Sequence, residues 1–489
     1  MQPRADLILA NRAYLDHDAP PGGEEAPSPS GGGLLAAVRP VIAPWDGARG
    51  TTWIGPGRGA FDSEAVDERG FEFLETPAGM LRHRRLFFPA ETWRAHYAGV
   101  ANAFLWPLLH IVREPLPLRV SYYPRPLAPS EEEWCATQSV ANTFAAAALE
   151  EPWAATCWIH DYQLGLVPAA MREQGFAGQT GFFLHTPFPD IAVAARCTDE
   201  RGRAMFARWL RGVLGADVIG LQAPADVTRF RSAAAELTGV RATAEGLTID
   251  DRPVRVAAYP VGIDSNEVIA GPWPASATGI LRASRERGLP LVAGIEREDF
   301  TKGIPERLYA VERAYRAGAR FAYLGIAAPT RWGVPGYGAL AHAVAAAVEQ
   351  ASAAAREAGC PFAYRREAIP WPQVVALLRE ADVVFTSSLA DGMNLVPLQA
   401  VAAQAGRAGD RAVILVGRDT GSAAALEDFS ADGIVAIDPF DLKGMTAALI
   451  AALDGAPGRI SDRLVAFVRE HDARAWATAF LQDLEASRC

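Results

Sequence analysis

An arginine and a lysine five residues apart, Arg297 and Lys302, flank a turn in the run Glu296-Arg297-Glu298-Asp299-Phe300-Thr301-Lys302-Gly303. Arginine offers a planar fork of donors and lysine a compact charge, a pairing suited to a diphosphate. The neighbouring acids Glu296, Glu298 and Asp299 offer a plainer reading, a solvated charge run. Farther along, Asp391-Gly392-Met393-Asn394-Leu395-Val396 packs a carboxylate, a glycine and an amide into one turn. The carboxylate can grip hydroxyls while backbone amides at a helix start hold an anion. An Asp that simply caps a helix reads the same way. His160-Asp161 and His185 could hold sugar hydroxyls or be satisfied structural groups, and Arg331 could hold an anion or sit in solvent. Asp16-His17-Asp18 has the spacing of a metal-chelating pair, but it lies in a Pro/Gly loop and reads as solvated, since metal sites need held ligands. Neither a P-loop nor a GxSxG elbow is present.

Each of these groups follows an apolar run that reads as a strand. Strands are expected at 383–385 before the Asp391 turn, 291–295 before Arg297, 155–159 before His160, 181–184 before His185, 320–326 before Arg331 and 7–10 before Asn11-Arg12. Further strands at 217–221, 255–259, 411–416 and 433–437 alternate with helices at 131–149, 167–174, 201–213, 225–236, 304–316, 337–357, 372–379, 394–405 and 442–453. Such alternation predicts parallel sheets covered on both faces, with ligands at the carboxyl ends of strands. A helix at 90–111 begins after Pro89 and carries Trp93, Tyr97, Phe104 and Trp106. Residues 16–33 form a polar loop ending in Gly31-Gly32-Gly33, where backbone could approach a ligand closely. A last helix at 472–484 carries Trp476, Phe480 and Leu481 at packing spacing.

The 489 residues exceed one ordinary core, so two domains are expected: 1–265 and 280–470, joined through a linker at 271–279, with a terminal helix in 471–489. A net charge of −10 argues against a nucleic acid or anionic membrane held by bulk charge. Five scattered cysteines without a CxxC or zinc spacing suggest a reduced, cytoplasmic protein. The short apolar run at 7–10 is too brief for a signal core or a membrane span.

In order along the chain, the sequence resembles the trehalose-6-phosphate synthase family of retaining glycosyltransferases. The resemblance rests on Asn11-Arg12, the glycines before Leu34, Tyr97 with Asn102 to Pro107, Trp158 to Leu164, Phe183 to Pro189, Leu214 to Asp217, Pro260 to Asp264, Arg297 to Arg307, Pro329-Thr330-Arg331, Asp391 to Val396 and the helix after His471-Asp472. It implies a GT-B fold: two Rossmann-like, doubly wound α/β domains with a cleft between them, the C-terminal helix crossing back to the first. It also implies that Arg297 and Lys302 clamp a donor diphosphate. Asp391, Gly392, Met393, Asn394, Leu395 and Val396 would hold the donor sugar, Gly33 would belong to a loop closing on the donor, and His185 and Asp161 would lie near the reacting centre. Arg12, Tyr97, Trp106 and Arg331 would form the acceptor pocket, Arg12 and Arg331 on its phosphate. The implied partners are a UDP-, GDP- or ADP-glucose-like nucleotide sugar and a hexose phosphate, with a homo-oligomer possible and no nucleic acid or membrane. The scheme needs no metal or other cofactor, and no enzyme nucleophile; positioning and charge stabilisation do the work.

Four departures from the family pattern stand out, three of them on the donor side. Ala390 stands where Arg is usual, Leu398-Gln399 where Lys-Glu is usual, Gly417-Arg418-Asp419-Thr420-Gly421 where Ser-Glu-Phe-Ala-Gly is usual, and Trp332 where Gly is common. Gln399 would keep a hydrogen bond to a nucleotide ribose but lose the charge. The default expectation is synthesis of α,α-trehalose 6-phosphate. The alternatives are a specialised relative with altered donor or product, pseudo-glycosyl transfer included, and a non-catalytic sugar-nucleotide-binding subunit.

Overall fold

The computed structural model describes residues 4–19, 28–29, 33–77, 79–114, 126–243, 246–271, 279–331, 333–407, 409–456 and 458–487. Contacts divide the chain into two compact units. The first comprises Met1–Leu109, Arg125–Val261 and Ala473–Cys489, the second His110–Pro124 and Gly262–Asp472. Two features differ from the boundaries expected from sequence. The change of unit falls at Val261/Gly262 rather than after residue 265, and residues 110–114 belong with the second unit. Arg113 explains the latter, since its guanidinium binds Asp419 at 2.5 Å and Asp438 at 2.7 Å. Residues 272–278 of the expected linker, together with Gly31, Gly32 and Trp332, lie outside the described residues.

Besides a two-stranded antiparallel sheet of Leu15–Asp16 and Ser28–Pro29, the strands of the first unit are β1 (Leu7–Ala10), β2 (Thr52–Pro56), β3 (Phe71–Thr76), β4 (Gly79–Leu86), β5 (Thr156–His160), β6 (Gln179–Phe183), β7 (Val218–Leu221), β8 (Arg241–Ala242), β9 (Gly246–Ile249) and β10 (Arg252–Ala258). These ten form one sheet in the order β8-β9-β10-β7-β6-β5-β1-β2-β4-β3. Every neighbouring pair from β10 to β4 is parallel. Strands β1 and β5 are buried along their whole length, which is why they read as unbroken apolar runs. Going outward from β1, chain order runs one way through β2 and β4 and the other way through β5, β6 and β7, so the order reverses between β1 and β5.

The second unit contains β11 (Leu291–Glu298), β12 (Ala322–Pro329), β13 (Phe362–Arg365), β14 (Val383–Phe385), β15 (Val413–Gly417) and β16 (Ile434–Ile437). All pairs are parallel, in the order β13-β12-β11-β14-β15-β16. This is again the doubly wound order, reversing between β11 and β14. At such a reversal the loops leaving two adjacent strands turn to opposite faces and open a crevice for ligands. Strand β13 was not anticipated from sequence. It is a short edge strand, half-buried throughout, with no alternation to reveal it.

The helix Ala473–Ala486 packs on the first sheet. Phe480 stacks on Trp158 with centroids 4.9 Å apart, and Trp476 meets Phe183 edge-on at 5.0 Å. Glycines make the room: a Cβ on Gly181 or Gly220 would lie 2.7 or 2.9 Å from the Phe480 ring. The helix Glu131–Leu149 keeps its expected limits because Ser130 and Glu133 close a capping box. The aromatic helix does not stay α-helical. After Ala90–Arg94 it widens into a π-helix, Ala95–Leu105, before Trp106–Leu109. Asn102 Nδ2 donates to the Tyr97 carbonyl five residues back at 2.7 Å, and Asn102 Oδ1 accepts from the Tyr162 hydroxyl at 2.9 Å. That side-chain bridge supports the wider turn from both ends. π-turns are rare and gather at functional sites.

Candidate functional site

The residues named from sequence gather in two groups, one in each unit. In the first unit Arg12, Asp161 and His185 lie at the carboxyl ends of β1, β5 and β6, next to the reversal of strand order between β1 and β5, while Tyr97 and Trp106 lie on the helix that begins at Ala90. Asn11-Arg12 follows β1, and the Arg12 carbonyl accepts from Trp53 Nε1 at 2.9 Å while its side chain is exposed. Asn11 Oδ1 lies 3.4 Å from His96 Nε2, which ties this turn to the π-helix that carries Tyr97. Tyr97 is half-buried and stacks on Trp93, and Trp106 is buried with its ring 5.6 Å from that of Tyr162.

Asp161 follows β5 in a left-handed backbone conformation, φ 74°. With ψ 165° it lies outside the left-handed helical well that Asp tolerates, at a cost in energy that the surroundings must offset. They do so through hydrogen bonds: Asp161 N–H donates to the Phe183 carbonyl at 2.7 Å, and its Oδ1 accepts from the His185 backbone N–H at 3.2 Å. Strand ends β5 and β6 are thereby locked together. His160 Nδ1 and His185 Nε2 are 3.1 Å apart, so one ring donates and the other accepts. Burial pushes His185 down to about 3, and burial with the adjacent His185 ring holds His160 well below its ordinary range. His185 is therefore a neutral imidazole that can bind a hydroxyl without adding a charge.

In the second unit the loops after β11 and β14 meet. Arg297 lies within β11 rather than after it, exposed and in register with Ala328. Lys302 closes a short 3-10 turn, and Gly303, at φ 60°, begins the helix Ile304–Arg316. A Cβ on Gly303 would lie 2.2 Å from the Ser387 carbonyl, so the β14 loop passes where a side chain would be. Ser387 Oγ binds the carbonyls of Lys302 at 3.0 Å and Gly303 at 2.9 Å, and Leu389 N–H donates to the Thr301 carbonyl at 2.7 Å. The Lys302 ammonium forms an ion pair with Asp391. Asn394 caps the helix Leu395–Gln404 through Val396 N–H at 3.1 Å and reaches Ser388 at 3.3 Å. Gly392 is buried; Met393, Leu395 and Val396 are half-buried, and Gln399 lies half-buried farther along the helix.

The acids flanking Arg297 are not solvated. Glu296 pairs with the buried Arg307, Glu298 with Arg366 at 2.7 Å, and Asp299 with Arg331. Each partner lies too far along the chain for a local charge pattern to reveal it. Burial alone would raise the Asp299 carboxyl, but Arg331 and Arg297 overturn this and hold it at about 2. Tyr337 hydroxyl donates to Asp299 at 2.8 Å and accepts from Arg331 at 3.1 Å. Arg331 is also left-handed, φ 52°, and belongs to the second unit while Arg12 belongs to the first. A cavity of about 430 Å³ beside it is lined by Glu298, Thr330, Tyr337 and Arg366 among others. The sequence reading missed Tyr337, Ser388 and Arg113 as parts of this neighbourhood. Between the half-buried Asp16 and the exposed Asp18, His17 is buried and bonded to Glu72 at 2.8 Å. Gly33 is the exposed first residue of the helix Gly33–Val38.

A family model described as glycosyltransferase family 20 matches residues 28–486. The chain belongs to glycosyltransferase family 20. It is a glycosyltransferase, and this membership agrees with the resemblance read from its motifs. Among relatives, the trehalose-6-phosphate synthase of Mycobacterium avium is 30% identical over 507 residues, covering 98% of this chain and 95% of that protein. The solved structure of an α,α-trehalose 6-phosphate synthase from Burkholderia multivorans is 25% identical with a TM-score of 0.77, covering 99% of this chain and 97% of that one. A UDP-forming α,α-trehalose-phosphate synthase from Burkholderia xenovorans, solved with glucose-6-phosphate, has a TM-score of 0.74 at 24% identity, covering 98% and 99%. The family 20 fold of two doubly wound sheets accounts for both groups of residues lying at strand carboxyl ends. Among the described residues no helix is long and apolar enough to cross a membrane, and no three His, Cys, Asp or Glu side chains gather as metal ligands would.

Proposed function

We propose that this chain moves a hexosyl group, with retention, from a nucleoside-diphosphate sugar to a hexose phosphate, giving α,α-trehalose 6-phosphate. The observation that carries the reading is the Lys302–Asp391 ion pair where the second sheet reverses order. It sets a cation for a diphosphate beside a carboxylate for sugar hydroxyls, with the N-terminus of the helix Leu395–Gln404 next to both. Arg297 and Lys302 bind the diphosphate and stabilise charge as it leaves, which acts on the transition state more than on the bound substrate. Asp391, with Asn394 and the backbone of 392–396, orients the donor sugar. Neutral His185 and Asp161 hold hydroxyls near the reacting carbon, and Arg12, Tyr97, Trp106 and Arg331 receive the acceptor. The acceptor hydroxyl attacks on the face the nucleotide leaves, and its proton passes to a leaving phosphate oxygen. The relatives' names favour a UDP sugar as donor.

Incubation with UDP-, GDP- or ADP-glucose and glucose 6-phosphate tests this directly. Release of nucleoside diphosphate with formation of trehalose 6-phosphate is expected, and absence of release with every donor rejects it.

One observation favours a variant of this reading. The segment that departs from the family pattern is bonded to the donor turn itself: Asp391 N–H donates to the Asp419 carbonyl at 3.1 Å, and Gly421 N–H to the Gly392 carbonyl at 2.8 Å. Changes there reach the donor sugar, so an altered donor or product is the second reading. Product analysis that finds only trehalose 6-phosphate decides against it.

A further inference from the structure

Arg58 stands in Gly57-Arg58-Gly59, immediately after β2, whose parallel neighbour β1 is followed by Asn11-Arg12. The two strand ends touch. A Cβ on Gly55 would lie 2.5 Å from the Arg12 carbonyl, and Trp53 donates to that same carbonyl. The Arg58 guanidinium carbon lies 5.2 Å from the ring centre of Tyr97 and 5.6 Å from that of Trp93, and those rings stack on each other 9° from parallel. The loop is fixed from beneath. The carboxylate of buried Asp62 accepts from the backbone N–H groups of Arg58 and Gly59, both at 2.7 Å, and from His17 N–H at 2.9 Å, and it pairs with Arg85 at 2.7 Å. Asp62 is thereby fully occupied, and among the described residues Arg58 meets two ring faces and no carboxylate. Neither flanking position has room for a side chain. A Cβ on Gly57 would lie 2.4 Å from Phe87, and one on Gly59 would lie 2.7 Å from the His17 backbone. The loop therefore presents one charged group, exposed, already ordered by stacking, with its N–H edge available.

We propose that Arg58 binds the phosphate of the acceptor together with Arg12, with Tyr97 and Trp93 holding its plane, and sets the preference for a phosphorylated over a free hexose. This rests on the acceptor reading of the first unit. A stacked guanidinium keeps its in-plane donors for a bidentate oxyanion and loses little further freedom on binding. Neither the motifs that carry the family resemblance nor the Tyr97 assignment includes this residue.

Calorimetry on the full chain tests it, with glucose 6-phosphate, glucose, inorganic phosphate and UDP as separate titrants. For Arg58→Ala the affinity for glucose 6-phosphate should fall about tenfold to a hundredfold, the range of one charge-assisted contact. Inorganic phosphate should weaken in parallel, while glucose and UDP should bind as to the wild type, which also shows that the variant is folded. Arg58→Lys, which keeps the charge and loses the fork, should fall between. In steady-state assays the loss should appear in KM for the hexose phosphate and little in kcat. Wild-type binding of glucose 6-phosphate that Arg58→Ala leaves unchanged overturns the inference alone. A wild-type chain that binds no hexose phosphate overturns the acceptor reading, and the inference with it.

Discussion

Lys302 and Asp391 leave different strands, 89 residues apart in sequence, and meet as an ion pair where the order of the second sheet reverses. Both side chains are largely buried, and backbone and hydroxyl bonds hold their loops together. An ammonium has three donors, so a diphosphate oxygen can share Lys302 without breaking the pair. In the proposed reading, the pair fixes the spacing between the diphosphate site and the sugar site.

Gly303 is the hinge of that arrangement. Alanine there must adopt φ 60° and place a Cβ on the Ser387 carbonyl. Gly303→Ala should cost about 2 kcal/mol or more from the left-handed backbone and the forced loop shift. Denaturant unfolding followed together with activity checks this; wild-type stability with wild-type turnover would show that the two loops do not need to be this close.

Arg331 and Asp299 form a buried pair, so truncating Arg331 leaves the Asp299 carboxylate buried without its ion-pair partner, offset only by Arg297, Thr301 N–H and the Tyr337 hydroxyl. Arg331→Ala should destabilise the fold by about 3 kcal/mol near neutral pH. The Asp299 carboxyl, held at about 2 against an ordinary value near 3.8, binds fewer protons folded than unfolded. Its contribution, about 2 kcal/mol, is complete above pH 4 and is lost as pH falls from about 4 towards 2. Acid unfolding of the wild type and of Arg331→Ala should differ in that window, the variant showing a shallower slope because only Arg297, Thr301 and Tyr337 still favour the carboxylate.

Two histidines act earlier on the acid side. Burial lowers His96 to about 4 and His185 to about 3. Both rings are neutral when folded and take up a proton more readily when unfolded. Stability should therefore be complete above pH 6.5 and fall by about 1.4 kcal/mol per pH unit for each histidine as pH drops towards these folded values. His96→Gln should flatten the pH dependence between 6.5 and 4 by about that amount, measured from unfolding curves at successive pH values.

Arg113 reaches the donor turn through Asp419, whose carbonyl accepts the Asp391 N–H. Arg113→Ala should raise KM for the nucleotide sugar roughly tenfold, the size of one charge-assisted contact, with a smaller change in kcat. Arg113→Lys should recover part of it. An unchanged donor KM in Arg113→Ala would mean that segment 417–421 holds its place without this contact.

The strands that carry the site were legible because a buried parallel strand is a short apolar run closed by polar residues, as at 383–385 and 155–159. The helix Glu131–Leu149 was legible because Ser130 and Glu133 announce its start. The π-helix was not, because Ala95–Leu105 has the same apolar content whichever carbonyl each N–H selects. Only the bridge from Tyr97 through Asn102 to Tyr162, made by tertiary packing, favours the wider turn. Glu296, Glu298 and Asp299 looked like a solvated run because their arginines are remote in sequence or on the far side of a turn. The burial of His17 was not legible because its partner, Glu72, lies 55 residues on. Arg58 carries a signal legible in the sequence, a single cation between two glycines directly after a strand.

The most direct test is nucleoside diphosphate release from UDP-glucose in the presence of glucose 6-phosphate, for the wild type, Lys302→Ala and Asp391→Asn. Turnover by the wild type and a loss of about 10²–10³ in kcat in each variant are expected, with circular dichroism unchanged, which is the scale of removing one preorganised charge-stabilising group. The account is contradicted if a folded Lys302→Ala variant releases nucleotide at close to the wild-type rate.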